Sequence, residues 1–220
     1  MKKIPINTLI NYLGNHNKRL QIIKELKKDK PMQGGYYQTS RACIRKSLLS
    51  KGDTSYIFEG LERLTSKIAK NSHQELNRIY SIKALNEYLS LNIPNLLKNH
   101  KIDLIRHRIK STRIKDLDIQ ISPEIIFTMN LGDKKYLGAI KMHFSKVDIF
   151  DQNQLQTSSS LIFKFLAEIS DEMNAEVLPE LCFSIDVFGK SYSTCPFNHN
   201  ELIQEIEKVA DNINIYWKAA

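Results

Sequence analysis

Cysteine is scarce in this chain of 220 residues, with only Cys43, Cys182 and Cys195. Their odd number and wide spacing exclude a disulfide framework, and no CxxC pair or Cys/His cluster has zinc-site spacing. Cys182 lies in an apolar run and reads as a small buried hydrophobe. Long hydrophobic runs are also missing, since none approaches the ~20 residues a membrane helix needs. The start, MKKIPINTLI, is positive, but Asn7, Thr8 and Asn11 interrupt its apolar stretch and no small-residue cleavage site follows. It is expected to be the first element of the fold in a cytoplasmic protein with no membrane partner. There are no repeats and no low-complexity tracts. The phosphate-cradling GxxxxGK[ST] loop, a GxGxxG after a strand, the GxSxG elbow and HExxH are all absent, which leaves nucleotide cradles and those hydrolase classes unsupported.

What is present is a globular balance, 42% hydrophobic and 25% charged, in a chain long enough for one large or two small domains. The charge is unevenly distributed. Residues 1–115 carry 24 Lys+Arg against 8 Asp+Glu, a net +16, whereas residues 116–220 carry 8 against 16, a net −8. A sign change of this size suggests that the halves have different tasks. A basic face attracts phosphates through counterion release, so nucleic acid, DNA or RNA, is the expected partner of the first half.

Residues 1–100 read as a basic helical region. Apolar residues recur at helical intervals over Ile6–Leu13 and Lys18–Lys28; Gly34-Gly35 breaks the pattern and Tyr36–Leu49 resumes it. Asp53 or Thr54 is a candidate N-cap for a helix to about Lys70. Ser72-His73-Gln74-Glu75 has the form of a capping box opening a longer helix through Leu89, and Pro94 ends or kinks it. The stretch Lys98, Lys101, Arg106, Arg108, Lys110, Arg113 and Lys115 is the most basic of all, and its periodicity fits helix or strand equally. These seven cations, with Arg41 and Arg45, are the candidate nucleic-acid-binding residues. Tyr36 and Tyr37, just before those two arginines, could stack on bases or serve as core anchors.

Residues 101–220 change period. Leu117–Ile121 alternates as a strand; Glu124–Leu131, the turn Gly132-Asp133 and Tyr136–Ser145 read as a hairpin. Thr157–Met173 is a helix by spacing. Leu181–Phe188 suits a central strand, Gly189-Lys190 turns it into a short strand at Ser191–Thr194, and a final helix runs from about Asn198 to Trp217. The expected fold is therefore a helical N-terminal region followed by a mixed-sheet α/β core.

A helix, three strands, a helix and a further strand, with Pro123-Glu124 ahead of Gly138-Ala139-Ile140-Lys141, resembles the PD-(D/E)xK nuclease superfamily over roughly residues 85–188. The C-terminal half is also similar to a group of bacterial proteins without an assigned function, through its GAIKMHF and IDVF strands. The superfamily resemblance implies a restriction-endonuclease-like core, Mg²⁺, and cleavage of phosphodiester bonds. Glu124 takes the place of the first acid and Lys141 that of the lysine, which orients or deprotonates the attacking water. The second acid is replaced by Ala139, so a metal ligand has to come from Asp118, Asp186 or Glu87. Asp118, Glu124, Lys141 and Asp186 are accordingly the candidate catalytic residues, the three acids being the candidate metal ligands. The other reading is a nuclease fold that has lost its activity and acts as a binding module. His143 shares the strand face of Lys141, and Asp186 is costly to bury without a partner.

Overall fold

The computed structural model describes residues 2–28 and 36–219, so Gly34-Gly35 lie outside the described residues. Helices α1 (Ile6–Gly14), α2 (Arg19–Lys27), α3 (Gln38–Leu49), α4 (Ser55–Ser66), α5 (Ser72–Leu89) and the short α6 (Asn95–Asn99) fill the first hundred positions. Helices α7 (Gln152–Met173) and α8 (His199–Ala219) follow in the second half. None of the helices among the described residues is long and apolar enough to cross a membrane.

The strands form two sheets. Strands β1 (Lys2–Pro5), β3 (Ser111–Ile114) and β4 (Leu117–Gln120) make the smaller one, ordered β1-β4-β3. Strands β2 (Asp103–Ile105), β5 (Ile125–Leu131), β6 (Lys134–His143), β7 (Glu176–Asp186) and β8 (Ser191–Ser193) make the larger, in the order β2-β5-β6-β7-β8. Only the β1–β4 and β6–β7 pairs are parallel, and α7 supplies the crossover that a parallel β6–β7 pair requires. The mixed α/β class and the order from β4 to α8 agree with the periodicities of the chain. Gly132, with φ of +61°, and Asp133 turn the β5–β6 hairpin between the paired Leu131 and Lys134.

The pleat of β6 divides the interior in two. Leu137 and Ala139 join a core with α1, α2, α7, α8 and the small sheet, while Ile140 and Met142 join a second core with α3, α4, α5 and α6. Both cores thus draw residues from either side of position 100. On β7, residues 178–181 bulge opposite Gly138, because Leu137 pairs with Val177 but Ala139 with Cys182. Pro179 falls within this bulge, where its missing N–H costs no ladder bond. Gly138 is the residue that admits the bulge, since a Cβ there would lie 2.8 Å from the Leu181 carbonyl oxygen and 2.5 Å from the Phe127 ring.

Several local expectations are corrected. Lys2–Pro5 is a strand, because its backbone finds residues 117–120 as a partner. The cap of α5 is Asn71, whose side chain accepts from the Gln74 backbone N–H at 2.9 Å, one position before Ser72; Glu75 instead holds Arg78. Helix α4 stops at Ser66, short of Lys70. Helix α7 starts at Gln152, five residues before the expected Thr157, through a capping box in which Asp151 and Gln154 bond each other's backbone N–H. The basic stretch 98–115 is neither one helix nor one strand: it runs from the end of α6 through β2, an irregular loop over 106–110, and β3.

Candidate functional site

The expected site residues lie at the end of β6, where the hairpin partner β5 begins. Alternation puts Lys141 and His143 on the α7 side of the sheet, in parallel register with Ser184 and Asp186 of β7. Glu124 stands just before β5, its backbone N–H bonded to the Ile140 carbonyl at 2.9 Å. This brings Glu124 and Lys141 together as the sequence suggests, with the ammonium 3.5 Å from Glu124 Oε1.

A third member comes from the helical half. Arg41, on α3, donates to the same Glu124 Oε1, and its guanidinium lies 4.3 Å from the centroid of the Phe144 ring. The second carboxylate oxygen, Oε2, accepts from the Met142 backbone N–H at 2.7 Å, and Lys141 also donates to the Ser122 carbonyl at 2.9 Å. The side chains of Glu124 and Lys141 are each 11% exposed. Burial pushes the Lys141 ammonium below its ordinary range; Glu124 opposes that shift and Arg41 adds to it. Two cations and an amide therefore occupy both oxygens of the carboxylate.

Asp186 is fully buried and equally satisfied. Its Oδ2 accepts from the Phe150 backbone N–H at 2.8 Å and its Oδ1 from the Gly189 N–H at 2.7 Å. The acid that looked costly to bury is a clip holding two loops, one entering α7 and the other leaving β7. His143 completes this clip. Its Nε2–H donates to the Asp148 carbonyl at 2.7 Å, its ring stacks on Phe150 at 3.7 Å, and its buried Nδ1 has no partner among the described residues. Burial pushes the His143 pKa down, against the opposing pull of the Asp148 carbonyl and the nearby Asp186 and Asp148 carboxylates; Arg41 adds to the lowering.

The remaining proposed ligands do not converge here. Asp118 belongs to the other sheet, opposite Arg113 on β3 and Lys3 on β1. Glu87 pairs with Lys190 at 2.8 Å. Ala139 is wholly buried in the core. Magnesium needs several free hard oxygen ligands, whereas every carboxylate oxygen of Glu124 and Asp186 already accepts from a protein donor. Nor does any group of three His, Cys, Asp or Glu suited to a metal occur among the described residues. The donor set does not fit Mg²⁺.

The basic stretch presents a different surface. Arg106, Arg108 and Lys110 are exposed in the loop between β2 and β3 and form no ion pair among the described residues. The loop is nonetheless anchored. His107 turns inward, with Nε2 3.1 Å from Glu172 Oε2 and Nδ1 3.2 Å from the Ile109 carbonyl, and the Lys110 carbonyl accepts from the N–H groups of Ile121 and Ser122. Lys98 is exposed on α6, while Lys101, Arg113 and Lys115 are partly engaged, with Asp103, the Lys115 carbonyl and Asp211 respectively. Arg41 is committed to Glu124, and Arg45 is half-buried, with its Nε enclosed and without a hydrogen-bond partner among the described residues. The cysteines are all buried thiols, and burial pushes Cys43 up, Cys182 well up and Cys195 up to about 12, against the thiolate form.

Sequence reasoning missed Arg41 as the partner of Glu124, and His107 as an anchor. Arg41, four residues after Tyr37, reads in the sequence only as a cation following aromatics; the second had no signal, because α7 lies far along the chain. No protein-family model and no curated protein matches the chain.

Proposed function

We propose that this protein is a nucleic-acid-binding module of the cytoplasm, built on a nuclease-like core in which the former acid–lysine pair has become a structural ion cluster. The observation that carries this reading is the anchored loop with three solvent-facing cations, Arg106, Arg108 and Lys110, that form no ion pair among the described residues. A loop whose backbone is already anchored has little backbone order left to gain on meeting phosphates, and its cations release the counterions of the nucleic acid. The saturation of Glu124 and Asp186 supports binding without cleavage.

Titration of labelled DNA and RNA across a salt series tests the proposal. The protein binds with steep salt dependence, and Arg106→Ala, Arg108→Ala and Lys110→Ala together lower the slope of log K against log[salt] by about 3. Incubation with Mg²⁺, Mn²⁺ or EDTA leaves the nucleic acid intact. Metal-dependent cleavage that Lys141→Ala abolishes would overturn the non-catalytic part and favour a divergent PD-(D/E)xK nuclease. Binding of labelled heparin, with no binding of any nucleic acid, would overturn the partner class in favour of an acidic protein.

A further inference from the structure

An aromatic ledge lies where the helical half meets the end of the larger sheet. Tyr36 is 39% exposed, and its ring rests on exposed His73 at 4.9 Å and edge-on to Tyr80 at 5.8 Å. The Lys146 ammonium lies 3.8 Å from the centroid of the Tyr80 ring. Below them Tyr37 packs against Tyr80, Phe144 and Phe188, which fixes the ledge to the sheet. Tyr37 is held in the left-handed region, φ +70°, with its N–H donating to Asn77 Oδ1 at 3.0 Å. A bulky residue adopts that conformation only when its surroundings compel it, and such strain concentrates at functional positions.

From this arrangement we infer that Tyr36 and His73 form a stacking platform for unpaired bases, so that the ligand is a single-stranded nucleic acid. The inference rests on the nucleic-acid reading above and narrows it. Aromatic faces accept any base, but only where the base is not already stacked within a duplex. Charge complementarity points to the same occupant: Lys146 lies over the ledge, and exposed Lys83 stands one helical turn beyond Tyr80 on α5. Lysines around half-buried Tyr80, which itself abuts the exposed Tyr36 ring, match a ligand that alternates flat bases with phosphates.

The test uses fluorescence anisotropy with three probes of equal length: a single-stranded oligonucleotide, its duplex, and an abasic single strand that keeps the phosphates but lacks bases. Wild-type protein is expected to favour the single strand over both others. Tyr36→Ala and His73→Ala, both surface changes, each weaken single-strand binding about tenfold while leaving the abasic probe unaffected, and Tyr36→Phe keeps the wild-type preference. Equal affinity of the wild type for the single strand and the abasic probe overturns the platform, as does single-strand binding unchanged in both alanine variants. In those cases duplex and abasic binding persist and the broader reading stands. Failure of the wild type to bind any of the three probes overturns that reading as well.

Discussion

Replacing Glu124 by Gln should be among the most damaging single changes outside the apolar cores. The carboxylate holds Arg41 and Lys141 through one oxygen and the Met142 amide through the other. Glutamine keeps an oxygen for one of these donors but leaves two cations side by side, one of them 11% exposed, with no counter-charge. Removing one partner of a buried ion pair costs about 3–5 kcal/mol. For a chain of this length that lowers Tm by about 6–20 °C, at roughly 2–4 °C per kcal/mol. Lys141→Met should behave quite differently. Burial already outweighs the attraction of Glu124 for this ammonium, and Arg41 and Met142 remain to satisfy the carboxylate. A thioether of similar length should therefore be close to neutral. The double variant should lose much less than Glu124→Gln alone, because Arg41 is then the one cation left at the site. Urea unfolding of the four proteins, compared at constant m, measures all three quantities. Glu124→Gln unfolding within 1 kcal/mol of the wild type, or Lys141→Met costing more than Glu124→Gln, would refute the reasoning.

Two further outcomes follow from the clip around Asp186. Asp186→Asn puts an NH₂ group against one of two backbone N–H donors, so it should lose about 2–4 kcal/mol in the same unfolding experiment and expose the 145–151 loop to proteolysis. His143 has a pKa below the ordinary histidine value of 6.5, so in acid the unfolded chain takes up a proton before the folded one does. Stability should thus fall as pH drops below about 6.5 and stop falling once the folded-state pKa is passed. His143→Gln, followed by urea unfolding between pH 5 and 8, should flatten that part of the profile; an unaltered slope would contradict the assignment.

Much of the framework was legible because local patterns carry it. The Gly132-Asp133 hairpin, the strand expected at Leu181–Phe188 (Glu176–Asp186 in the structure) and the period of α7 need no distant partner to be recognised. Of the four short edge strands, β8 was legible but the other three were not, since residues 2–5, 103–105 and 111–114 become strands through pairings set elsewhere in the chain. Asp118 shows the same limit within the candidate site. Its alternation was read correctly, but a period of two identifies a face and not the sheet to which it belongs. Asp186 was singled out for the right physical reason, the cost of a buried acid, yet its partners are backbone amides of two loops, which no side-chain pattern reveals.

The pairing of Lys2 with Leu117 through Pro5 with Gln120 also sets an order of assembly. A chain made from its N-terminus exposes Ile4, Leu9 and Ile10 long before their partners on β4 and α7 have been synthesised. The helices α3 to α6 face the same wait for the β5–β6 hairpin. Neither core can close until most of the chain has left the ribosome, and the smaller sheet depends on pairing Lys2 with Leu117, on opposite sides of the whole helical region. Growth thus holds the opening residues in waiting, as apolar surface open to chaperones, until the middle of the chain arrives to receive them.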